Sequence, residues 1–180
     1  YKVIEGNGGW DATVTKFLSE GISEVAEQRV TGEQKPRNYL SLSSLGTPCK
    51  RKLWYKINET EKSEKLTAES LGTFFYGDLL EVLVIALAKA AGHKVEGAQD
   101  RVDVHGIKGH MDCIIDGVVV DVKSASKYSF EKFKKHELKE NDPFGYISQL
   151  SSYLYASKKD KRVTNKHEAC FLVVQKDRFK

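Results

Sequence analysis

Residues 109–124, Gly-His-Met-Asp-Cys-Ile-Ile-Asp-Gly-Val-Val-Val-Asp-Val-Lys-Ser, decide the fold that the sequence predicts. Two short runs rich in β-forming residues, His110–Ile115 and Val118–Val122, flank the dipeptide Asp116-Gly117. Asp-Gly between two such runs is typical of the two-residue turn of a β-hairpin. The segment therefore predicts an antiparallel hairpin, and the remaining elements are assigned outward from it.

On both sides of this hairpin, the hydrophobic pattern predicts helices and further strands. The predicted helices span Asp11–Arg29, Ala68–Ala91, Tyr128–Leu138 and Tyr146–Ser157, and the further predicted strands span Lys94–Val104 and Ala169–Val174. The helix that begins at Ala68 is apolar on most faces, so we expect it to be largely buried. This order of elements implies an α/β fold with a central mixed β-sheet flanked by helices.

The length of 180 residues fits one domain. We expect residues 1–38 to form a helical lead-in and residues 39–176 to form the core. There are 29 Lys and Arg against 25 Asp and Glu, and the net charge of +4 permits a nucleic-acid partner without requiring one. Because the chain begins with Tyr1 rather than Met, we expect further residues beyond one or both ends.

The cysteines and the apolar runs predict a soluble, cytoplasmic protein. Cys49, Cys113 and Cys170 are odd in number and lack the C-x-x-C spacing of zinc or redox sites, which favours a reducing compartment. The longest apolar run, Leu79–Ala91, is interrupted by charged residues and is too short to span a membrane. No basic-then-apolar signal peptide opens the chain, so we expect no membrane association.

Two acids and a lysine of the hairpin form a candidate catalytic site. Pairing across the turn places Asp112 opposite Asp121, and the alternation of side chains places Lys123 on the same strand face as Asp121. Facing carboxylates repel each other unless a cation lies between them, which indicates a divalent metal. Phosphodiester hydrolysis requires such a metal with oxygen ligands and a group that orients water. An ordinary surface acid and lysine are the alternative for a single Asp-x-Lys, but the upstream acid and the apolar strand favour catalysis.

An acid on one strand followed by acid-x-Lys on the next resembles the PD-(D/E)XK nuclease superfamily. The chain departs from the usual motif because Met111 stands in place of Pro and the second acid is Asp121 rather than Glu. The resemblance covers most of the chain and implies a restriction-endonuclease-like core. It implies that Asp112, Asp121 and the backbone carbonyl of Val122 bind Mg²⁺, for which Mn²⁺ is expected to substitute. Lys123 completes the implied site, and beside two carboxylates we expect it to stay protonated and to stabilise charge rather than to act as a base.

Glu81, in the long predicted helix, is a further candidate catalytic residue and metal ligand. Its neighbours one turn away, such as Val84 and Ile85, are apolar, and an isolated buried carboxylate costs roughly several kcal/mol. A surface acid near a helix end is the alternative. The segment Gly72–Glu81 is similar to the entry motif of this helix in the superfamily, but Tyr76 stands where RecB-type members usually have His. Tyr is a poor Mg²⁺ ligand, so the resemblance implies Glu81, as in phage recombination exonucleases.

The spacing Gln149-x-x-x-Tyr153 places two polar side chains on one face of the last predicted helix. Ile147, Leu150 and Leu154 are expected to form a different, apolar stripe. Downstream of acid-x-Lys, the pair resembles an additional motif of the RecB-type branch, which faces the active site and the bound strand. The resemblance therefore implies that Gln149 and Tyr153 contact DNA.

The segment Ser43–Tyr55 is similar to the opening arch of RecB-type and CRISPR-adaptation nucleases. Ser44 and Arg51 are predicted DNA contacts, and the Arg51 guanidinium suits a backbone phosphate. Trp54 is expected to pack in the core rather than to stack on bases. In the iron–sulfur members of that group, a cysteine matching Cys49 is joined by three more near the C-terminus. This chain has one cysteine in that region, so we predict no iron–sulfur cluster.

Together these motifs predict a Mg²⁺-dependent DNA exonuclease of the RecB or phage recombination type, acting in DNA recombination and repair. A structure-specific endonuclease of the same fold is an alternative, because the active-site residues do not separate end-dependent from internal cutting. A non-catalytic DNA-binding module, or a subunit that needs a recombination or repair partner, is the alternative from another class. A homo-oligomer is left open by analogy with the ring-shaped trimers of some phage exonucleases. A kinase or transferase finds no support, since the sequence lacks a Gly-x-x-x-x-Gly-Lys phosphate loop.

Overall fold

The fold is that of a computed structural model, which describes residues 3–6, 8–32, 38–62 and 64–177. The described α-helices are α1 (Ala12–Ala26), α2 (Lys50–Asn58), α3 (Ala68–Ala90), α4 (Lys127–Lys134) and α5 (Tyr146–Ala156). The described strands are β1 (Val95–Glu96), β2 (Asp100–Val104), β3 (Ile107–Met111), β4 (Cys113–Ile115), β5 (Val118–Ala125) and β6 (Ala169–Gln175). Contacts divide the chain into two compact units, Tyr1–Lys35 with Glu64–Val95 and Pro36–Ser63 with Glu96–Lys180. The single domain expected from length stays a prediction, and each unit is described by itself.

The first unit is built from α1 and α3. The predicted cap of α1 is confirmed, because Asp11 Oδ1 accepts a hydrogen bond from Val14 N at 2.9 Å. Val14 packs against Ala86 of α3. A Cβ on Gly21 would lie only 2.6 Å from Val82 Cγ1, so glycine permits the close approach of the two helices. The helix predicted from Asp11 is therefore confirmed, and its last turns are π-helical.

α3 has 23 residues and is less buried than the sequence predicts. Its second half supplies buried side chains such as Val84 and Ile85, but Phe74 and Tyr76 in its first half are 44% and 45% exposed. The expectation of a largely buried helix is thus wrong for the first half. By length and composition the complete helix could cross a membrane, although the run Leu79–Ala91 alone was judged too short. Core helices of soluble proteins have the same length and apolar composition.

The second unit contains a four-stranded sheet with the order β1-β4-β5-β6, and the chain returns to this unit at Glu96 of β1. β4 and β5 pair antiparallel, and β5 and β6 pair parallel. α4 and α5 both pack against β5 and β6. The predicted α/β class, with a mixed sheet flanked by helices, is therefore confirmed.

β2 and β3 form a separate two-stranded sheet that the sequence did not predict. They are joined by His105 and Gly106, whose φ values of 52° and 84° are both positive, as in a type I′ turn. The predicted strands Lys94–Val104 and His110–Ile115 are therefore wrong in their bounds, and the second is split at Asp112 between β3 and β4. His is not among the residues favoured in such a turn, which explains why this hairpin was missed.

The core of the second unit joins the β4–β5 hairpin to α5. Ile114 and Val119 of the hairpin lie in one buried cluster with Leu150 and Tyr153 of α5. Leu42, from a short 3-10 turn before α2, is also fully buried in this cluster. The core thus fixes the hairpin that carries the predicted acids.

Candidate active site

The turn of the β4–β5 hairpin has the geometry that its sequence predicts. Asp116 and Gly117 have φ values of 50° and 80°, as expected for a type I′ turn. Cys113 pairs with Val120, so the next step in register brings Asp112 opposite Asp121, as predicted. Asp112 itself lies between β3 and β4, outside the paired ladder, and not on a strand as expected.

The Asp112 side chain is held by the backbone of β5. It is 8% exposed, and its Oδ2 accepts a hydrogen bond from Val122 N at 2.7 Å. The carbonyl oxygen of Asp112 accepts a further bond from Gln99 N at 3.0 Å. These bonds fix the break between the strands and bring the carboxylate to the residue that follows Asp121.

The Asp121 side chain is fully buried on β5, with an exposure of 0%. Its Oδ2 lies 2.6 Å from Lys123 Nζ, whereas its Oδ1 has no hydrogen-bond partner among the described residues. Burial raises the pKa of the Asp121 carboxyl above its ordinary value, although the Lys123 ammonium acts in the opposite direction. One buried lysine therefore compensates this carboxylate only in part.

Lys123 shares a strand face with Asp121, as predicted, and its side chain is 19% exposed. Its Nζ lies 5.1 Å from the centroid of the Tyr146 ring, at a distance typical of a cation–π contact. Burial lowers the pKa of the Lys123 ammonium, but Asp121 and Asp112 outweigh burial and raise the pKa above its ordinary value. Lys123 is therefore a positive charge at neutral pH rather than a base.

The two acids fit a divalent cation. Mg²⁺ is commonly bound by one or two carboxylates and keeps several waters, so Asp112, Asp121 and the Val122 carbonyl offer a sufficient donor set. The Oδ1 atom of Asp121, buried and without a hydrogen bond among the described residues, is the atom that a cation would satisfy. Across residues 3–6, 8–32, 38–62 and 64–177, no group of three or more His, Cys, Asp and Glu side chains is preorganised for a metal.

Glu81 is half-buried on α3, between a buried stretch of that helix and the ion pair of Asp78 with Arg29. It belongs to the first unit, whereas Asp112 and Asp121 belong to the second. Its assignment as a catalytic residue and metal ligand therefore stays a prediction. Asp78, also on α3, forms an ion pair with Arg29.

Gln149 and Tyr153 contact each other on α5, because Gln149 Nε2 donates to Tyr153 Oη at 2.8 Å. The expected separation of this pair from an apolar stripe is wrong. Tyr153 is 2% exposed and lies in the core with Leu150, whereas Ile147 is 37% exposed. The Tyr153 ring supports the core, and its hydroxyl orients the Gln149 amide. A DNA contact by either residue stays a prediction.

The segment before and within α2 is positioned differently from its sequence-based interpretation. Ser44 is buried, and its Oγ donates to the Ser41 carbonyl at 2.7 Å and so holds a tight turn. Arg51 is exposed on α2. Trp54 is 52% exposed, so the expectation that it packs in the core is wrong. Contacts of Ser44 and Arg51 with DNA stay predictions.

Sequence reasoning missed an aromatic cluster, one ring of which, Tyr146, contacts the lysine. It consists of Phe133, Phe144, Tyr146 and Phe171. Tyr146 lies at the start of α5, and the other rings lie on three separate segments of the chain. Their aromatic character was visible in the sequence, but no spacing rule brings them together.

The chain matches no family model, no curated protein and no solved structure. The interpretation of the site therefore depends on its geometry and on the chemistry of its side chains. The structure brings Asp112, Asp121, Val122 and Lys123 together within one hairpin. The likeness to a nuclease superfamily stays a prediction.

Proposed function

We propose that this chain is a Mg²⁺-dependent deoxyribonuclease with a restriction-endonuclease-like core and with Asp112, Asp121 and Lys123 as its catalytic residues. The proposal depends mainly on the fully buried carboxylate of Asp121. Its Oδ2 contacts Lys123, whereas its Oδ1 lacks a hydrogen-bond partner among the described residues. Burial of an incompletely paired carboxylate costs stability, which is tolerated where a ligand completes the site. A divalent cation complements two carboxylates that stand in register.

The side chains have separate roles in this proposal. Asp112, Asp121 and the Val122 carbonyl hold the metal, which when bound supplies Lewis acidity and an activated water. The hydrogen bond from Val122 N holds the Asp112 carboxylate in place. Lys123 remains protonated and stabilises negative charge that develops on the phosphate. The Tyr146 ring restricts the Lys123 ammonium from one side.

The motif resemblance supports the exonuclease form of the proposal. The same resemblance supports a role in recombination and repair and a cytoplasmic location. It also supports DNA contacts by four residues: Gln149, Tyr153, Arg51 and Ser44. Internal cutting by the same residues is the alternative within the same chemistry. Two further alternatives are a DNA-binding module and a subunit that cuts DNA only with a partner. In both cases the purified chain alone would not cleave DNA.

Cleavage of matched DNA substrates by the purified chain tests the proposal. End-labelled linear DNA and a closed circle are incubated with Mg²⁺, Mn²⁺ or EDTA, with the wild-type chain and with Asp121→Ala. We expect metal-dependent shortening of the linear strand alone, lost in the variant. If the circle is also cut, the proposed activity is that of an endonuclease rather than an exonuclease. If DNA is not cleaved with any metal, the partner-dependent subunit or the binding module is favoured.

A further inference from the structure

An aromatic cluster extends from the Lys123 ammonium to the surface of the second unit. Tyr146 stacks with Phe133 at a centroid distance of 5.9 Å and an interplanar angle of 23°. Tyr146 also stacks with Phe144 at 5.4 Å and 25°. Phe133 is packed edge-on against Phe171 at 5.4 Å, whereas Phe144 is 64% exposed. One member of the cluster thus presents an aromatic surface to solvent beside the candidate active site.

The loop that carries Phe144 is held in a defined conformation. Asp142 Oδ1 and Oδ2 accept hydrogen bonds from Tyr146 N at 2.9 Å and from Ile147 N at 2.8 Å. Gly145 has a φ of 73°, and a Cβ there would lie 2.4 Å from the Cα of Gly46, so two backbones meet at this point. Phe144 is therefore held by a fixed loop with its ring 64% exposed, where a ligand can reach it.

The charge of the adjoining helix suits a polyanion. α4, which supplies Phe133 to the cluster, has the sequence KYSFEKFK, with Lys127, Lys132 and Lys134 against the single acid Glu131. Exposed aromatic rings next to positive charges are the combination with which proteins bind single-stranded nucleic acids. The cluster therefore favours an unpaired nucleic-acid strand over an apolar peptide or a lipid.

We propose that Phe144 is a stacking platform for an unpaired base close to the scissile phosphate, so that the substrate is DNA with unpaired bases, either a single strand or a frayed end. The inference rests on the proposed nuclease function. Contacts of 5.1 and 5.4 Å lead from Lys123 through Tyr146 to Phe144. Successive nucleotides of one strand rise by about 3.4 Å, so the platform lies within about three nucleotides of a phosphate at Lys123. Within an intact duplex both faces of every internal base are covered by its neighbours, so an internal base must leave the stack before it can stack on Phe144.

Binding measurements on the full chain in EDTA separate stacking from cleavage. Fluorescence anisotropy compares a single-stranded oligonucleotide, the same strand with abasic positions near its end, and a blunt duplex. The variants are Phe144→Ala and Phe144→Trp, with Tyr155→Ala as the matched control. Tyr155 is a 50% exposed aromatic residue at the other end of α5, where it contacts the His105 ring. Thermal unfolding of each variant shows that it is folded.

We expect Phe144→Ala to weaken single-strand binding by about 5- to 150-fold, the loss that corresponds to one base stacked on an aromatic ring. Phe144→Trp retains affinity, Tyr155→Ala binds as the wild type does, and an abasic position weakens the wild type but not Phe144→Ala. Unchanged binding by Phe144→Ala, or an equal abasic effect in both chains, would overturn the platform.

A parallel cleavage assay with Mg²⁺ distinguishes failure of the platform from failure of the proposed function. If the wild type cuts DNA and Phe144→Ala cuts and binds equally well, the platform is wrong and the nuclease stands. If the wild type does not cut DNA, and its base-dependent binding is lost in Phe144→Ala, the stacking platform is supported and the proposed nuclease function is wrong.

Discussion

The two hairpins of the second unit share a type of turn but place their charges in opposite environments. In β2–β3 exposure alternates along each strand, and the paired residues Asp103 and Lys108 both face solvent. In β4–β5 every strand position is buried or half-buried, and Asp112 and Asp121 are 8% and 0% exposed. Solvated opposite charges need no further ligand, whereas two buried acids in register do. The comparison indicates that turn residues decide whether a hairpin forms, and burial decides whether its charges require a partner.

The largest difference between the hairpins is expected in DNA cleavage. Asp112→Asn and Asp121→Asn each remove a buried negative charge that the proposed metal requires, and we expect each to lower the cleavage rate by about 10²–10³-fold or more. Asp103→Asn makes the same chemical change on the exposed hairpin and is expected to leave the rate unchanged. Single-turnover cleavage of labelled DNA measures all three, and an equal effect of Asp103→Asn would contradict the distinction.

The next difference is expected in the stability of the two turns. Gly106 and Gly117 have φ values of 84° and 80°, so alanine at either position costs about 1–2 kcal/mol in backbone strain. A Cβ on Gly117 would also lie 2.1 Å from Thr164 Oγ1, whereas nothing lies within 4 Å of a Cβ on Gly106. We expect Gly117→Ala to lower the free energy of unfolding by about 1–3 kcal/mol more than Gly106→Ala does. Urea unfolding measures the difference, and equal losses would contradict the close packing at Gly117.

A smaller difference is expected in the pH dependence of stability. Burial raises the pKa of Asp121 in the folded chain, so its contribution to stability is greatest below the ordinary pKa of an aspartate and is lost as the pH rises through the folded-state pKa. In EDTA, Asp121→Asn removes this titration, so its melting temperature is expected to fall less than that of the wild type as the pH rises from acid to neutral. Melting curves over a pH series measure this effect, with Asp103→Asn as the control. An equal pH dependence of the melting temperature in Asp121→Asn and the wild type would contradict the raised pKa of Asp121.

The smallest effect is expected for the exposed pair on β2–β3. Asp103 and Lys108 are cross-strand partners in solvent, and the Asp103 carboxylate accepts a hydrogen bond from Gly106 N at 2.8 Å. Opposite charges placed in this way contribute about 0.2–1 kcal/mol. A double-mutant cycle with Asp103→Ala and Lys108→Ala measures the coupling from urea unfolding, and 0.5 M salt should weaken it, since salt screens exposed charges. A coupling well above about 1 kcal/mol would show that this hairpin does not serve as the solvated reference.

Local sequence signals predicted the parts of the site that depend on short-range geometry. The turn residues Asp116 and Gly117 fixed the register, and the strand period placed Lys123 beside Asp121. The residues that were misjudged depend on packing between distant elements. Tyr153 is drawn into the core by the hairpin, and Trp54 is left exposed on a helix without a buried face. Periodicity gives the face of a helix but not the element that covers it.

Direct binding of Mn²⁺ tests the central claim that the β4–β5 hairpin holds its two acids for a divalent cation. Isothermal titration of the wild-type chain is compared with titrations of Asp112→Asn, Asp121→Asn and Asp103→Asn. The account predicts a Mn²⁺ site in the wild type and in Asp103→Asn, lost or strongly weakened in the other two variants. Undiminished binding by Asp121→Asn, or a wild-type chain that binds no Mn²⁺, would contradict it.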